Sequence, residues 1–187
     1  MRGLWKRATA EVNKRAAILE RLADFILIEG LEAATLRAMA RAADQSDRML
    51  LYYFKDKEEI ITEVLGLLAA QLQAQLAAQA VTAKLPKDHL RETLDAVVLS
   101  DRIWPFLRLW LDLAARAARG DPFHAPVGQA LGMGFHQWIE GQLATADPDL
   151  RRKHATEIMI GLEGVIVLKG VGMQGLVQEL FQRRSIT

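Results

Sequence analysis

Gly170-Val171-Gly172-Met173-Gln174-Gly175 spells G-x-G-x-x-G, and the run VIVLK before it reads like a strand. Such glycines let a backbone approach a pyrophosphate, but a dinucleotide site also needs a βαβ unit and an acidic residue about twenty positions on. Twelve residues follow Gly175. These glycines are therefore expected to break or pack terminal helices. The four histidines, His89, His124, His136 and His154, lack metal-ligand spacing. With no cysteine, disulfides, thiolate metal sites and cysteine nucleophiles are excluded. Neither a P-loop nor G-x-S-x-G occurs. The paired Glu58-Glu59 falls at a helix start, where carboxylates favour the dipole. No catalytic residue, metal or cofactor is expected, and the chain does not read as an enzyme.

The remaining chemistry is charge. Residues 1–57 carry 11 Lys/Arg and 8 Asp/Glu, whereas the rest carries 13 and 15. A basic head on a mildly acidic body points to a polyanion partner. Half of the 187 residues are hydrophobic and a quarter charged, as in a soluble globule. The opening MRGLWKRATAEVNKR lacks an apolar signal core. The most apolar later stretch, residues 158–168, is too short for a membrane span and contains Glu163. A cytoplasmic location without a membrane anchor is the expectation.

The elements that must position these charges are helical. Ile18, Leu22, Phe25 and Ile26 predict a helix over 14–29, ended by Gly30. Thr35 caps a short helix carrying Leu36, Met39, Ala40 and Ala43. After a break at Asp44-Gln45, Ser46 caps another with Met49, Leu50, Tyr53 and Phe54. A long helix starts near Asp56 with the stripe Ile61, Leu65, Leu68, Leu72 and Leu76, and the Ala/Gln-rich residues 69–83 prolong it. Further helices are predicted over 88–100, 101–119, 126–145, 150–169 and 173–184, separated by Pro86, Gly120-Asp121-Pro122 and Asp147-Pro148. Within 101–119, one apolar line is Ile103, Phe106, Leu107, Trp110 and Ala114, and a second is Trp104, Leu111 and Ala115. The fold class is all-α, about nine helices. A helix-turn-helix head over 1–57 is followed by a helical body over 58–187 that reads as a ligand-binding and dimerisation domain.

Two short helices joined by a tight turn suit the major groove, with one bracing on the backbone and the next lying in the groove. Ala40 supplies a small residue where they cross, and Asp44 tolerates the left-handed turn less well than glycine would. The run AAILERLADFILIEGLEAATLRAMARAADQSDRMLLYYFKDKEEII resembles the TetR family of transcription regulators. The most specific stretch is Tyr53-Phe54-x-x-Lys57-Glu58 directly after the short helices. The resemblance covers the first third of the chain and implies a regulator that binds double-stranded operator DNA as a homodimer.

The resemblance also implies roles. Thr35 and Arg37 would touch phosphate. Gln45, Ser46, Asp47, Arg48 and Met49 would face bases or backbone. Tyr52, Tyr53, Lys55 and Lys57 would lie near phosphates, and Lys6, Arg7, Lys14 and Arg15 would add non-specific grip. Plainer readings stand beside these: Phe54 and Tyr53 as core, Thr35 as a cap only, Arg37 and Lys55 as solvated charges. Departures from the family pattern are Asp44 for the turn glycine, Gln45 for an apolar residue, Asp47 for a basic one and Leu51 for an aromatic. Asp47 either repels phosphate or accepts from a cytosine amino group.

In the body, Trp104, Leu107, Arg108, Leu111, Phe135 and His136 form the candidate pocket for a small apolar or aromatic effector, with core packing as the alternative. Arg108-Asp112-Arg116 has the i,i+4 spacing of surface pairing. Ile158, Leu162 and Ile166, with Leu176 and Leu180, read as a dimer interface, with burial inside a monomer as the alternative, and Gly161 and Gly164 permit close helix approach. In the resembling family, effector binding moves the fourth helix and changes the spacing of two heads. The rival function is a helical protein of this type that has lost DNA binding and holds a lipid or small molecule.

Overall fold

A computed structural model describes the backbone of residues 2–79 and 83–184, and the side chains of 11–77 and 83–179. Nine helices are present among the described residues: α1 (Arg2–Glu29), α2 (Leu36–Ala42), α3 (Asp47–Tyr53), α4 (Lys57–Gln79), α5 (Lys87–Leu99), α6 (Trp104–Ala118), α7 (His124–Gln142), α8 (Pro148–Gly170) and α9 (Gln174–Arg184). There is no strand among them, only an isolated bridge between Leu85 and Leu143. The chain divides into two compact units, residues 1–71 and 72–187, and α4 contributes to both.

In the first unit, Ile18, Leu22 and Ile26 are buried at helical spacing, and Phe25 is half-buried. α1 begins at Arg2, twelve residues before the predicted start. Leu4, Ala8 and Val12 fall at i, i+4 and i+8, a short line among charged residues that the predicted start at residue 14 left out. Gly30, at φ +83°, ends the helix, and its amide donates to the Ile26 carbonyl at 2.9 Å. Met39, Ala40, Ala43, Leu50 and Phe54 are at most 2% exposed and join α2 and α3 to this core.

Among the described residues one stretch, Lys57–Ala77, is long and apolar enough to cross a membrane, with a mean hydropathy of 1.4. Its Ile60, Ile61 and Val64 are buried in the protein. The predicted continuation of α4 to residue 83 lies partly outside the described residues.

In the second unit, α8 packs on α5, α6, α7 and α9. Leu94, Val98, Leu107, Ile139, Ile158 and Leu162 belong to its core. On α6 the predicted lines shift. Leu109 and Leu113 are buried whereas Ala115 is exposed, because α7 covers the flank of the first line that faces away from the second. Lys169, its side chain 9% exposed, donates to the Leu99 and Ser100 carbonyls at 2.8 Å each and so satisfies the end of α5.

The G-x-G-x-x-G run is the end of α8. Gly172, at φ +79°, leaves the helix, and the Met173 amide donates to the Leu168 carbonyl at 2.8 Å. A Cβ at Gly170 would come within 2.9 Å of the Leu111 side chain, so this glycine admits α6.

Candidate nucleic-acid interface and effector region

The turn between α2 and α3 is built by three side chains and one unusual backbone conformation. Thr35 Oγ1 accepts from the Ala38 amide at 3.2 Å and caps α2. Ser46 Oγ accepts from the Met49 amide at 3.2 Å and caps α3. Between them Asp44 has φ +54°, the one positive φ outside glycine among the described residues. The Gln45 amide reaches the Ala40 carbonyl at 2.9 Å and the Asp44 amide reaches Arg41 at 3.1 Å. This pair of bonds is a Schellman ending, whose left-handed position usually falls to glycine. The Gln45 side chain donates back to the Asp44 carbonyl at 2.6 Å.

At the far end of α3, Asp56 Oδ1 accepts from the Glu59 amide at 2.8 Å, and Glu59 Oε2 accepts from the Lys55 amide at 2.5 Å. These reciprocal bonds start α4 directly after the aromatic pair. Arg15 holds the same corner. Its Nε donates to the Tyr53 carbonyl at 3.1 Å, and its Nη atoms donate to Glu63 at 2.7 and 2.5 Å. The guanidinium also stacks over the Phe54 ring at 4.4 Å. The hydrogen bond to Glu63 raises the Arg15 pKa further.

Arg15, expected to grip DNA, is therefore occupied within the head. Lys14 sits 5.9 Å over the Tyr53 ring. The side chains of Lys6 and Arg7 lie outside the described residues, and their backbone belongs to α1 rather than to an arm.

The other predicted contact residues divide by exposure. Thr35, Arg37, Ser46, Asp47, Arg48, Tyr52, Lys55 and Lys57 are exposed, and Gln45, Met49 and Tyr53 are half-buried. Tyr52 Oη donates to Glu11 at 3.1 Å, which raises the phenol pKa, and its ring meets Tyr53 edge-on at 5.1 Å. Phe54, 1% exposed, is core. Two exposed residues of this face were not singled out for contact: Arg41 in the last turn of α2, and Leu51 on α3 at 46% exposure. The spacing Arg37–Arg41 (i,i+4) and Arg48–Leu51 (i,i+3) was the available signal.

Of the predicted effector residues, Leu107 belongs to the core of the second unit, and Trp104, Leu111 and Phe135 pack against it. Trp104 and Leu111 both approach Gly170, and Lys169 Nζ lies 4.9 Å over the Trp104 ring. Phe135 stacks on Trp138 with centroids 5.6 Å apart, and His136 Nε2 is 2.9 Å from Thr156 Oγ1. Arg108 is exposed, while Arg116 Nε donates to Asp112 at 2.9 Å. A cleft of about 400 Å³ lies elsewhere in this unit, bordered by α5, α8 and α9, and none of the six lines it. Among the described residues no cluster is able to hold a metal ion.

Three residues read as dimer contacts are already spent. Ile158, Leu162 and Ile166 are 1%, 1% and 4% exposed in the core of the second unit. Burying such side chains is worth about 1.5–3 kcal/mol each, and the neighbouring helices take that gain. The exposed apolar row of α8 is on the opposite side: Ile160, Gly164, Val167 and Val171 at i, i+4, i+7 and i+11. Leu176 is exposed, and Leu180 lies outside the residues whose side chains are described.

Residues 18–64 match the family model for bacterial regulatory proteins of the tetR family. Curated proteins include no match to this chain. Among solved structures, a transcriptional regulator from Rhodococcus sp. Rha1 is similar at 21% identity, over 87% of this chain and 86% of that one, with a TM-score of 0.65. A transcriptional regulator from Streptomyces coelicolor A3(2) shares 24% identity over 82% and 85%, at a TM-score of 0.63. A protein described as a TetR-family transcriptional regulator from Rhodococcus sp. shares 19% over 86% and 88%, at a TM-score of 0.67. Residues 18–64 thus match the TetR-family model of bacterial regulatory proteins, and the chain as a whole shares the fold of these solved transcriptional regulators.

Proposed function

We propose that this chain is a ligand-responsive transcriptional repressor that binds operator DNA as a homodimer and lets go when a small apolar or aromatic effector binds. The observation that carries the reading is the face formed by Arg37, Arg41, Arg48 and Lys57. These cations are exposed and have no side-chain partner among the described residues, on the two short helices and at the start of α4. Unpaired cations on a helix-turn-helix favour a polyanion, because each phosphate they neutralise releases a counterion. In this reading residues 1–57 are the DNA-binding domain and 58–187 bind the effector and the second subunit, in the cytoplasm.

Thr35, Arg37, Tyr52, Lys55 and Lys57 contact the backbone, with Tyr53 beside them. Gln45, Ser46, Asp47, Arg48 and Met49 lie at the base edges. Dimerisation uses the exposed row Ile160, Gly164, Val167 and Val171, extended by Met173 and Leu176, since a monomer seldom leaves such a row uncovered. Two copies related by a two-fold axis then place two heads on a palindrome.

A mobility-shift series over rising salt, on the DNA upstream of the chain's own gene, tests the reading. Operator binding that weakens steeply with salt is expected, and affinity no different from random DNA overturns it. Sedimentation at micromolar concentration is expected to show a dimer, and Val167→Glu a monomer. A wild-type monomer defeats the dimer part.

A further inference from the structure

The cleft of about 400 Å³ is lined from α5 by Lys87, Asp88 and Arg91, from α8 by Gly161 and Gly164 among others, and from α9 by Val177. We infer that this cleft is the effector site and that it takes a small organic acid, its carboxylate forked on Arg91 and its apolar body resting on Ile158, Val165, Leu168 and Val177. The inference rests on the reading of the chain as a ligand-responsive regulator.

Three observations carry it. First, Arg91 is held from behind. Its Nε donates to both Asp95 oxygens at 2.7 Å, and Asp95 is 1% exposed. That bond fixes the plane of the guanidinium and leaves both Nη atoms without an acceptor among the described residues. A guanidinium with a free fork matches the two oxygens of a carboxylate.

Second, the fork has a seat that only glycine permits. A Cβ at residue 161 would fall 1.6 Å from Arg91 Nη1 and 2.5 Å from Cζ, so the guanidinium lies directly against the α8 backbone. Gly164, one turn further, has nothing within 4 Å of its Cβ position and keeps the cleft open beside it.

Third, the surrounding charge selects the kind of anion. Lys87 is bonded to Glu157, whose pKa this bond lowers, and Asp95 offsets Arg91. Asp88 remains on the rim. Among the described residues the cleft offers no further unpaired cation for a phosphate or sulfate. It offers a directed pair of donors above an apolar floor, which suits a monocarboxylate with an aliphatic or aromatic body. The volume is near the small end of small-molecule sites.

The test is calorimetric titration of the full chain with benzoate and octanoate, with benzamide and octanamide as neutral matches and with sodium sulfate. The acids are expected to bind, the amides about tenfold or more weakly, and sulfate not at all. Arg91→Lys keeps the charge but loses the fork, and Gly161→Ala unseats it. Either is expected to cut acid binding about tenfold, with the helical circular dichroism retained.

Equal binding of acid and amide, or no binding by either acid, overturns the inference on the unsubstituted chain alone, whatever the variants do. Acids that bind the cleft without releasing operator DNA in the shift assay leave the site standing and defeat the regulator reading. An effector that releases DNA equally from wild type and Arg91→Lys defeats the site and leaves the regulator reading intact.

Discussion

On the α2–α3 face, Arg37, Arg41 and Arg48 stand in solvent with no partner among the described residues. In the second unit Lys87, Arg91, Arg116, Arg151 and Lys169 are each bonded to a carboxylate or a carbonyl. The contrast extends within the head, where Arg15 and Arg21 are committed, Arg21 donating to the Ala43 carbonyl at 3.1 Å. An arginine spent on its own fold has little left for a phosphate backbone, and an unspent exposed one contributes almost nothing to stability. Substitution should therefore separate the two sets: operator binding without stability in one, stability without operator binding in the other.

The sharpest break is at the most deeply placed carboxylate of the body. Asp95→Ala removes the acceptor behind Arg91. Because the Arg91 side chain is 22% exposed, water rescues part of the loss, and a destabilisation of about 2–3 kcal/mol is expected in chemical denaturation. Operator affinity of the folded protein should not change. A loss of affinity at unchanged stability would dissolve the contrast.

On the other side, Arg48→Ala should cost about 1–3 kcal/mol of operator binding, and Lys57→Ala should lower the salt slope by about one. Both should leave unfolding within about 0.5 kcal/mol of wild type. Shift assays paired with denaturation read both quantities on one preparation.

Asp44→Gly tests the turn. At φ +54° a glycine carries no side-chain penalty, so stability should rise by about 1 kcal/mol or less. A decrease would mean that the Asp44 side chain makes up for its backbone.

The smallest effect is a slope in pH. Glu163 is raised above its usual 4.5 by burial, against the opposing hydrogen bond from Trp110 Nε1 at 2.9 Å. A raised carboxyl favours the folded state while protonated, below its unfolded pKa, and that contribution is lost as pH climbs through the folded value. Glu163→Gln keeps an acceptor for Trp110 and should flatten the fall in stability above about pH 4.5. Asp121 has the opposite sign. The His124 and Phe123 amides and the His124 side chain hold it at about 2, so its support of α7 lasts until pH falls through that value.

How much of this was legible in sequence depended on how local the determinant was. Thr35, Ser46 and Gly30 act on atoms within four residues, and their caps were readable. The order Tyr53-Phe54 followed by Lys57 marked the family and the start of α4. On α8 the apolar residues occupy two opposite sides, Ile158/Leu162/Ile166 and Ile160/Val167/Val171, and periodicity alone cannot say which side its neighbours take. The side read as a dimer face, Ile158/Leu162/Ile166, is the one the chain's own helices cover. The cleft was beyond reach because Arg91 and Gly161 lie seventy residues apart. Arg91-x-x-x-Asp95 has the same i,i+4 spacing as Arg108–Asp112, and only the fold buries its carboxylate.

Arg15 is also a mechanical coupling. One side chain touches the last turn of α3 at the Tyr53 carbonyl, the Phe54 ring, and the second turn of α4 at Glu63. Cutting any one of these leaves the others engaged. A pull on α4 is thus handed to α3, in the way a keyed shaft turns its gear. In the proposed dimer, a head keyed in this manner would not need to come apart to release DNA; it would only need to be carried out of register with its twin.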